Sequence, residues 1–149
     1  MPDPDLRLED FFPYRLNRIA VGVSRRFQAV YSKQFGLTIP SWRVLATIAQ
    51  FGSITAKEIG LHSDMHKTKV SRAVRDLEQR RWLTRVTKPL DRREELLSLT
   101  AAGRRNYRDL VPLMRALEQQ LLTSLGADAA MVEIVLKKLE EVVLQQGRP

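Results

Sequence analysis

Between Met65 and Leu99 the chain changes its hydrophobic period, and few small folds accommodate that change. Val70, Ala73, Val74 and Leu77 recur at helical spacing, with Lys67, Lys69, Arg72 and Arg75 on the other side. The text then becomes β-rich at Trp82-Leu83-Thr84-Arg85-Val86-Thr87, and Glu95-Leu96-Leu97-Ser98-Leu99 is its expected partner. Lys88-Pro89-Leu90-Asp91-Arg92-Arg93 lies between them and reads as an exposed hairpin turn, since Pro89 argues against a continuous strand. A basic amphipathic helix therefore leads into a hairpin with a basic tip.

Helical patterns surround this segment. Phe12, Leu16, Ile19, Val23, Phe27, Val30 and Tyr31 predict a first helix of about five or six turns ending near Gly36. A second helix, with Pro40 in its first turn, runs through Trp42, Leu45, Ile48 and Ala49 to Gly52. Thr55-Ala56-Lys57-Glu58 is a capping-box sequence that starts a short third helix. Beyond the hairpin, Thr100 reads as an N-cap for a long helix carrying Tyr107, Leu110, Val111, Met114, Leu117 and Leu121, bent near Pro112 and closed by Gly126. Asp128 caps a last helix, with Met131, Ile134, Val135, Leu139 and Val142 expected to face inward. At 149 residues the chain fits one domain.

The formal charge of +8 is unevenly placed. Residues 1–10 carry −3, residues 11–57 carry seven bases and no acid, residues 66–93 carry +7, and residues 94–149 carry −1. A polyanion is the expected partner of such blocks. With no cysteine, disulfides, Cys-based metal sites and thiol redox sensing are excluded. No stretch is apolar for long enough to span a bilayer, so a membrane is not expected as a partner and the expected location is the cytoplasm. There is also no Gly-rich phosphate loop, no zinc-protease motif and no nucleophile elbow, which argues against an enzyme.

Two short helices followed by a hairpin is the order of a winged helix-turn-helix. A recognition helix needs an apolar side for docking and a polar, basic side to meet base edges and phosphates. Lys67, Thr68, Lys69, Ser71, Arg72 and Arg75 are the candidate DNA contacts on the helix, and Lys88, Arg92 and Arg93 those of the wing. An Arg at a wing tip suits the negative potential of a narrow minor groove, a role assigned to Arg93. Asp91 is expected to orient it through a bidentate side-chain pair.

The sequence at this point resembles the MarR family of bacterial regulators. The resemblance rests on Ile54-Thr55-Ala56-Lys57-Glu58-Ile59, on Lys67-Thr68-Lys69-Val70-Ser71-Arg72-Ala73-Val74-Arg75-Asp76-Leu77-Glu78 and on Trp82-Leu83-Thr84-Arg85. Its most specific part is Asp91-Arg92-Arg93 followed after five residues by Leu99-Thr100-Ala101-Ala102-Gly103. Two departures stand out: Asp64 where the helix–helix turn usually has Gly, and His66 where Ser or Thr is common. The resemblance implies a mostly α fold with a small β-hairpin wing, a single MarR-like domain over 1–149. Residues 38–100 would form the winged DNA-binding lobe, flanked by N- and C-terminal dimerisation helices over 11–35 and 101–146. It further implies a homodimer on a pseudo-palindromic double-stranded operator, commonly a repressor, with no cofactor.

Members of this family typically bind a small effector between the dimer helices and the winged lobe, often an aromatic acid or its CoA thioester. The resemblance therefore points to an anionic aromatic effector. Arg15, Phe27, Tyr31, Trp42 and Arg43, in the acid-free block, are the candidate contacts, because a planar aromatic anion needs an apolar slot with guanidinium at its rim. Other readings are a zinc-responsive regulator using His62 and His66, a ligand-independent winged-helix regulator, or a winged-helix module for RNA or protein. The two histidines straddle the predicted turn, which argues against a shared metal.

Overall fold

The computed structural model describes residue 1 and residues 5–88, 90–91 and 93–144. Pro89 and Arg92 of the wing, and residues 145–146 of the expected last helix, lie outside the described residues. Two compact units divide the chain, Met1–Val111 and a second one from Pro112 onward.

After a 3-10 turn at Leu8–Asp10, the first unit runs through α1 (Phe12–Phe35), α2 (Ile39–Phe51), β1 (Ser53–Thr55), α3 (Ala56–Ser63), α4 (Lys67–Gln79), β2 (Leu83–Thr87) and β3 (Glu95–Leu99). It closes with the first part of α5 (Ala101–Thr123). Local chemistry explains most of these limits. Gly36 ends α1 in the left-handed conformation, its N–H donating to the Ser32 carbonyl and the Leu37 N–H to the Tyr31 carbonyl. Thr38 caps α2 by accepting the Ser41 N–H at 3.2 Å, and Pro40 sits in its first turn. The capping box at α3 is complete. The Thr55 side chain accepts the Glu58 N–H at 3.2 Å, while Glu58 Oε2 accepts the Thr55 N–H at 2.9 Å. The bond from the Thr55 N–H, with a second from the Thr55 hydroxyl at 2.8 Å, also holds the Glu58 carboxyl below its ordinary pKa.

The sheet has the order β1-β3-β2, all antiparallel, so β3 is central. The sequence predicts only its β2–β3 pair. β1 is three residues long, too short for a period of two to register, and Thr55 belongs to it while also capping α3. Its pairing places Ile54 opposite Leu97 and Ser53 opposite Ser98, whose hydroxyls lie 3.1 Å apart. The core of the unit gathers Leu45 and Ile48 of α2, Ile59 of α3, Val74 and Leu77 of α4 and Leu97 of β3, all of them buried. Burying such aliphatic side chains contributes on the order of 1.5–3 kcal/mol each, which docks three short helices that would not be stable alone.

The second unit contains the remainder of α5 from Pro112, a 3-10 turn at Gly126–Asp128 and α6 (Ala129–Leu144). One expectation fails here. Met131, Ile134, Val135 and Val142 do not face inward but are exposed, and no described residue of α6 is buried. Phe12, Leu16 and Ile19 near the start of α1 are exposed as well. Helical period identifies which residues share a face, and says nothing of whether the same chain covers it. Among the described residues, no helix is long and apolar enough to cross a membrane.

Candidate nucleic-acid interface

Helix α4 begins from a tight turn. Asp64 ends α3 in the left-handed conformation (φ 49°, ψ 48°), as the short polar side chain of Asp permits where most residues would be strained. The Met65 N–H then returns to the Gly60 carbonyl at 3.0 Å. His66 is the N-cap of α4, its Nδ1 accepting the Thr68 N–H at 3.2 Å. An imidazole nitrogen thus does the work that a Ser or Thr hydroxyl does elsewhere. With Nδ1 accepting, the neutral ring carries its proton on Nε2.

From that start α4 divides cleanly. Val70, Ala73, Val74 and Leu77 are buried, while Lys67, Thr68, Lys69, Ser71, Arg72 and Arg75 are all exposed. Six polar groups, four of them cationic, share one face of a helix held by its opposite side. Asp76 fixes the helix further. It accepts from the buried Ser41 hydroxyl of α2 at 2.9 Å and from Arg80 Nε at 3.0 Å. Arg80 in turn donates to the Phe35 and Gly36 carbonyls at the end of α1, both at 2.8 Å. The last turn closes with Arg81 left-handed at φ 60°, its N–H donating to Glu78 O and the Trp82 N–H to Leu77 O.

The wing is braced by charge. Arg85 on β2 forks onto Glu78 of α4, with Nη2–Oε2 at 2.7 Å, and reaches Glu95 of β3 at 2.9 Å. The guanidinium holds the Glu78 carboxyl below its usual range, and the two carboxylates raise the pKa of Arg85 further. At the tip the geometry differs from expectation in two ways. Asp91 Oδ1 accepts the backbone N–H of Arg93 at 3.0 Å, so Asp91 shapes the turn rather than gripping the guanidinium. Lys88 Nζ is paired with Glu94 Oε2 at 2.8 Å, which raises its pKa. Arg93 is exposed at the tip, and Arg92 lies outside the described residues.

Of the residues expected to hold an aromatic effector, Tyr31 and Trp42 come together, and Arg43 is near enough to act electrostatically on the Tyr31 phenol. Tyr31, Trp42 and Tyr107 stack in a ladder, with ring centroids 5.8 Å and 6.2 Å apart. Each ring fills the slot its neighbour would have offered, and burial pushes the Tyr31 phenol above its ordinary pKa. Phe27 is half-buried on α1, and Arg15 and Arg43 are exposed. Arg15 stands about 24 Å along α1 from Tyr31 at the rise of an α-helix, too far for one small acid to touch both in the same chain. Arg43 also borders a hollow with Arg25 and Lys69. His62 packs edge-on against Phe51, with centroids 5.0 Å apart, and His66 is committed as a cap. Among the described residues no group of three or more His, Cys, Asp or Glu is placed to hold a metal.

Asp76, Arg80 and Arg85, which brace the site, are absent from the candidate residues predicted from sequence. Their partners lie as far as 45 positions away in the chain, where no local spacing signals them.

The model of the MarR family matches residues 35–94, from the end of α1 to the end of the wing loop. A MarR family transcriptional regulator from Silicibacter pomeroyi DSS-3 is 31% identical, with a TM-score of 0.80 over 93% of this chain and 99% of that one. A cysteine-to-serine mutant of MarR from E. coli, solved in complex with operator DNA, is 25% identical, with a TM-score of 0.77 over 91% and 99%. An uncharacterized HTH-type transcriptional regulator of Bacillus subtilis, YwoH, is 32% identical over 88 residues, or 59% of this chain; the match spans 64% of that curated relative's length. The chain belongs to the MarR family of transcriptional regulators, not to a family of enzymes.

Proposed function

We propose that the protein binds a pseudo-palindromic DNA operator as a homodimer, acting in the cytoplasm as a repressor that a small anionic aromatic effector releases. The observation that carries the reading is the division of α4. A helix anchored by Val70, Ala73, Val74 and Leu77 displays Lys67, Thr68, Lys69, Ser71, Arg72 and Arg75 without cover. That face suits a major groove, where base-edge contacts specify and phosphate contacts position. Arg93 suits the adjoining minor groove. Residues 38–100 act as the reading lobe, and the exposed apolar residues of α1 and α6, within 11–35 and 101–146, provide the surface for a second copy. The operator complex of the E. coli relative supports the DNA assignment by likeness.

The test is binding to duplexes selected from genomic fragments, followed over a range of salt. Expected are a sedimenting species of twice the 17.1 kDa chain mass, half-sites about one helical turn apart, and affinity falling steeply with salt. A monomer that binds single-stranded RNA as well as duplex DNA would overturn the reading.

A further inference from the structure

Helix α4 is started by a titratable ring. His66 is extended, at φ −62° and ψ 145°, and it closes the first turn twice: its Nδ1 accepts the Thr68 N–H and its carbonyl accepts the Val70 N–H, both at 3.2 Å. The usual caps, Ser, Thr, Asn and Asp, accept through oxygens whose protonation does not change near neutrality. Imidazole differs, because its charge ordinarily changes between pH 5 and 8. Only the neutral ring has an acceptor nitrogen. The cationic ring donates from both, so Nδ1–H would meet the Thr68 N–H donor against donor. It would also set a positive charge at the positive end of the helix dipole. Asp64 of the preceding turn, Lys69 of α4, Arg43 of α2 and Arg25 of α1 line the hollow that the exposed ring borders, and Lys67 follows it in the chain.

The side chains nearest this cap are candidate readers of DNA. Lys67, Thr68 and Lys69 are exposed in the first turn of α4, and Thr68 supplies the capped N–H. Hydrogen bonds to base edges depend on exact placement, whereas phosphate contacts carry no sequence information. We infer that His66 is a specificity-determining positioning residue: its neutral imidazole holds the first turn of α4 in the arrangement that reads bases, and a proton taken from solvent onto Nδ1 exchanges that discrimination for one more cation beside the phosphates. The inference rests on the reading that α4 binds DNA. Acid then lowers the preference for the operator over other duplexes, while affinity for duplex DNA as such is kept or raised.

The test is fluorescence anisotropy on a duplex selected from genomic fragments and on its scrambled counterpart, at fixed ionic strength and at pH 7.5 and 5.5. Both values lie above the range in which Glu58 and Glu78, with their lowered carboxyls, titrate. The full-length wild type is compared with His66→Ser, which caps through a hydroxyl that does not titrate, His66→Ala, which cannot cap, and His62→Gln, which removes the other histidine. In the wild type the ratio of scrambled to selected Kd is expected to fall about fivefold on acidification, a size typical of a lost cap. His62→Gln should fall with it. His66→Ser should hold the wild-type ratio of pH 7.5 at both values, and His66→Ala the lower ratio at both. A wild-type ratio that ignores pH overturns the inference, as does an equal fall in His66→Ser. Low discrimination by His66→Ser at both values overturns it too, because the ring itself would then be reading a base. NMR of the free protein separates the cap from the DNA: the Thr68 amide proton should shift between pH 7.5 and 5.5 in the wild type and stay fixed in His66→Ser. A Thr68 amide that stays fixed in the wild type removes the cap and the inference with it. A moving Thr68 amide in a protein that binds no duplex would instead sink the DNA reading, and the specificity role with it, while leaving the cap standing.

Discussion

Gly103 lies directly against the carbonyl of Trp82: a Cβ at Gly103 would stand 2.1 Å from Trp82 O. Around that contact the Thr100 N–H donates to Trp82 O at 3.0 Å, the Thr100 hydroxyl donates to Arg81 O at 2.7 Å, and Thr100 Oγ1 accepts the Gly103 N–H at 3.1 Å. The Leu-Thr-x-x-Gly text is thus the seat of α5 on the loop that leaves α4.

Gly103→Ala is therefore expected to destabilise the protein by about 2–4 kcal/mol, although alanine is the better helix former. The clash is with backbone, which has no rotamer to adopt. Urea unfolding checks it: a midpoint equal to the wild type would show that α5 does not dock this closely.

Arg81 sits at φ 60°, where a side chain costs energy and glycine does not. Arg81→Gly should stabilise by about 0.5–1 kcal/mol, raising Tm by a few degrees in a thermal melt. A fall in Tm would mean that the Arg81 side chain contributes more than its backbone conformation costs.

Arg93→Ala should weaken specific DNA binding by roughly 1–3 kcal/mol, or about 5- to 150-fold, while leaving far-UV circular dichroism and unfolding unchanged. Asp91→Ala should follow it in direction, because it removes the acceptor that holds the Arg93 backbone. Fluorescence anisotropy on specific and scrambled duplexes gives the readout. Equal loss on both duplexes would demote Arg93 to a phosphate contact.

Glu78 gives a pH signature. Its carboxyl is held below the ordinary value of 4.5, mainly by the hydrogen bond from Arg85. A depressed folded-state pKa stabilises above the unfolded value, and that stabilisation is lost as pH falls through the folded one. Stability should consequently decline as pH drops below about 4.5, with Glu58, also depressed, adding to the slope. In Arg85→Ala the decline should flatten. An identical pH profile in the two proteins would show that the pair exerts no net pull.

Sequence made the local devices legible. The Thr55–Glu58 box, the Gly36 stop and the buried side of α4 each follow from spacings within one or two turns. What it left hidden depended on distance. The pairing of Ser53 with Ser98 joins residues far apart in sequence, and the Asp76–Arg80 bonds to α2 and α1 have no periodic trace. The tip of the wing went astray for a different reason. Composition put Asp91 beside Arg93, but an Asp two residues before an N–H is as well placed to accept from the backbone as from the guanidinium. The aromatic cluster reads two ways for a similar reason, since rings suited to sandwiching a ligand are equally suited to sandwiching one another.

The grip of Arg80 on the last carbonyls of α1 has a mechanical meaning. Three contacts, to Asp76, Phe35 and Gly36, make the end of α1 and the body of α4 turn as a single lever. In a dimer joined along α1, the tilt of that helix would then set the span between the two reading helices. In such a dimer a change of a few degrees at the seam would move both out of step with successive grooves, with no rearrangement needed inside the winged lobe.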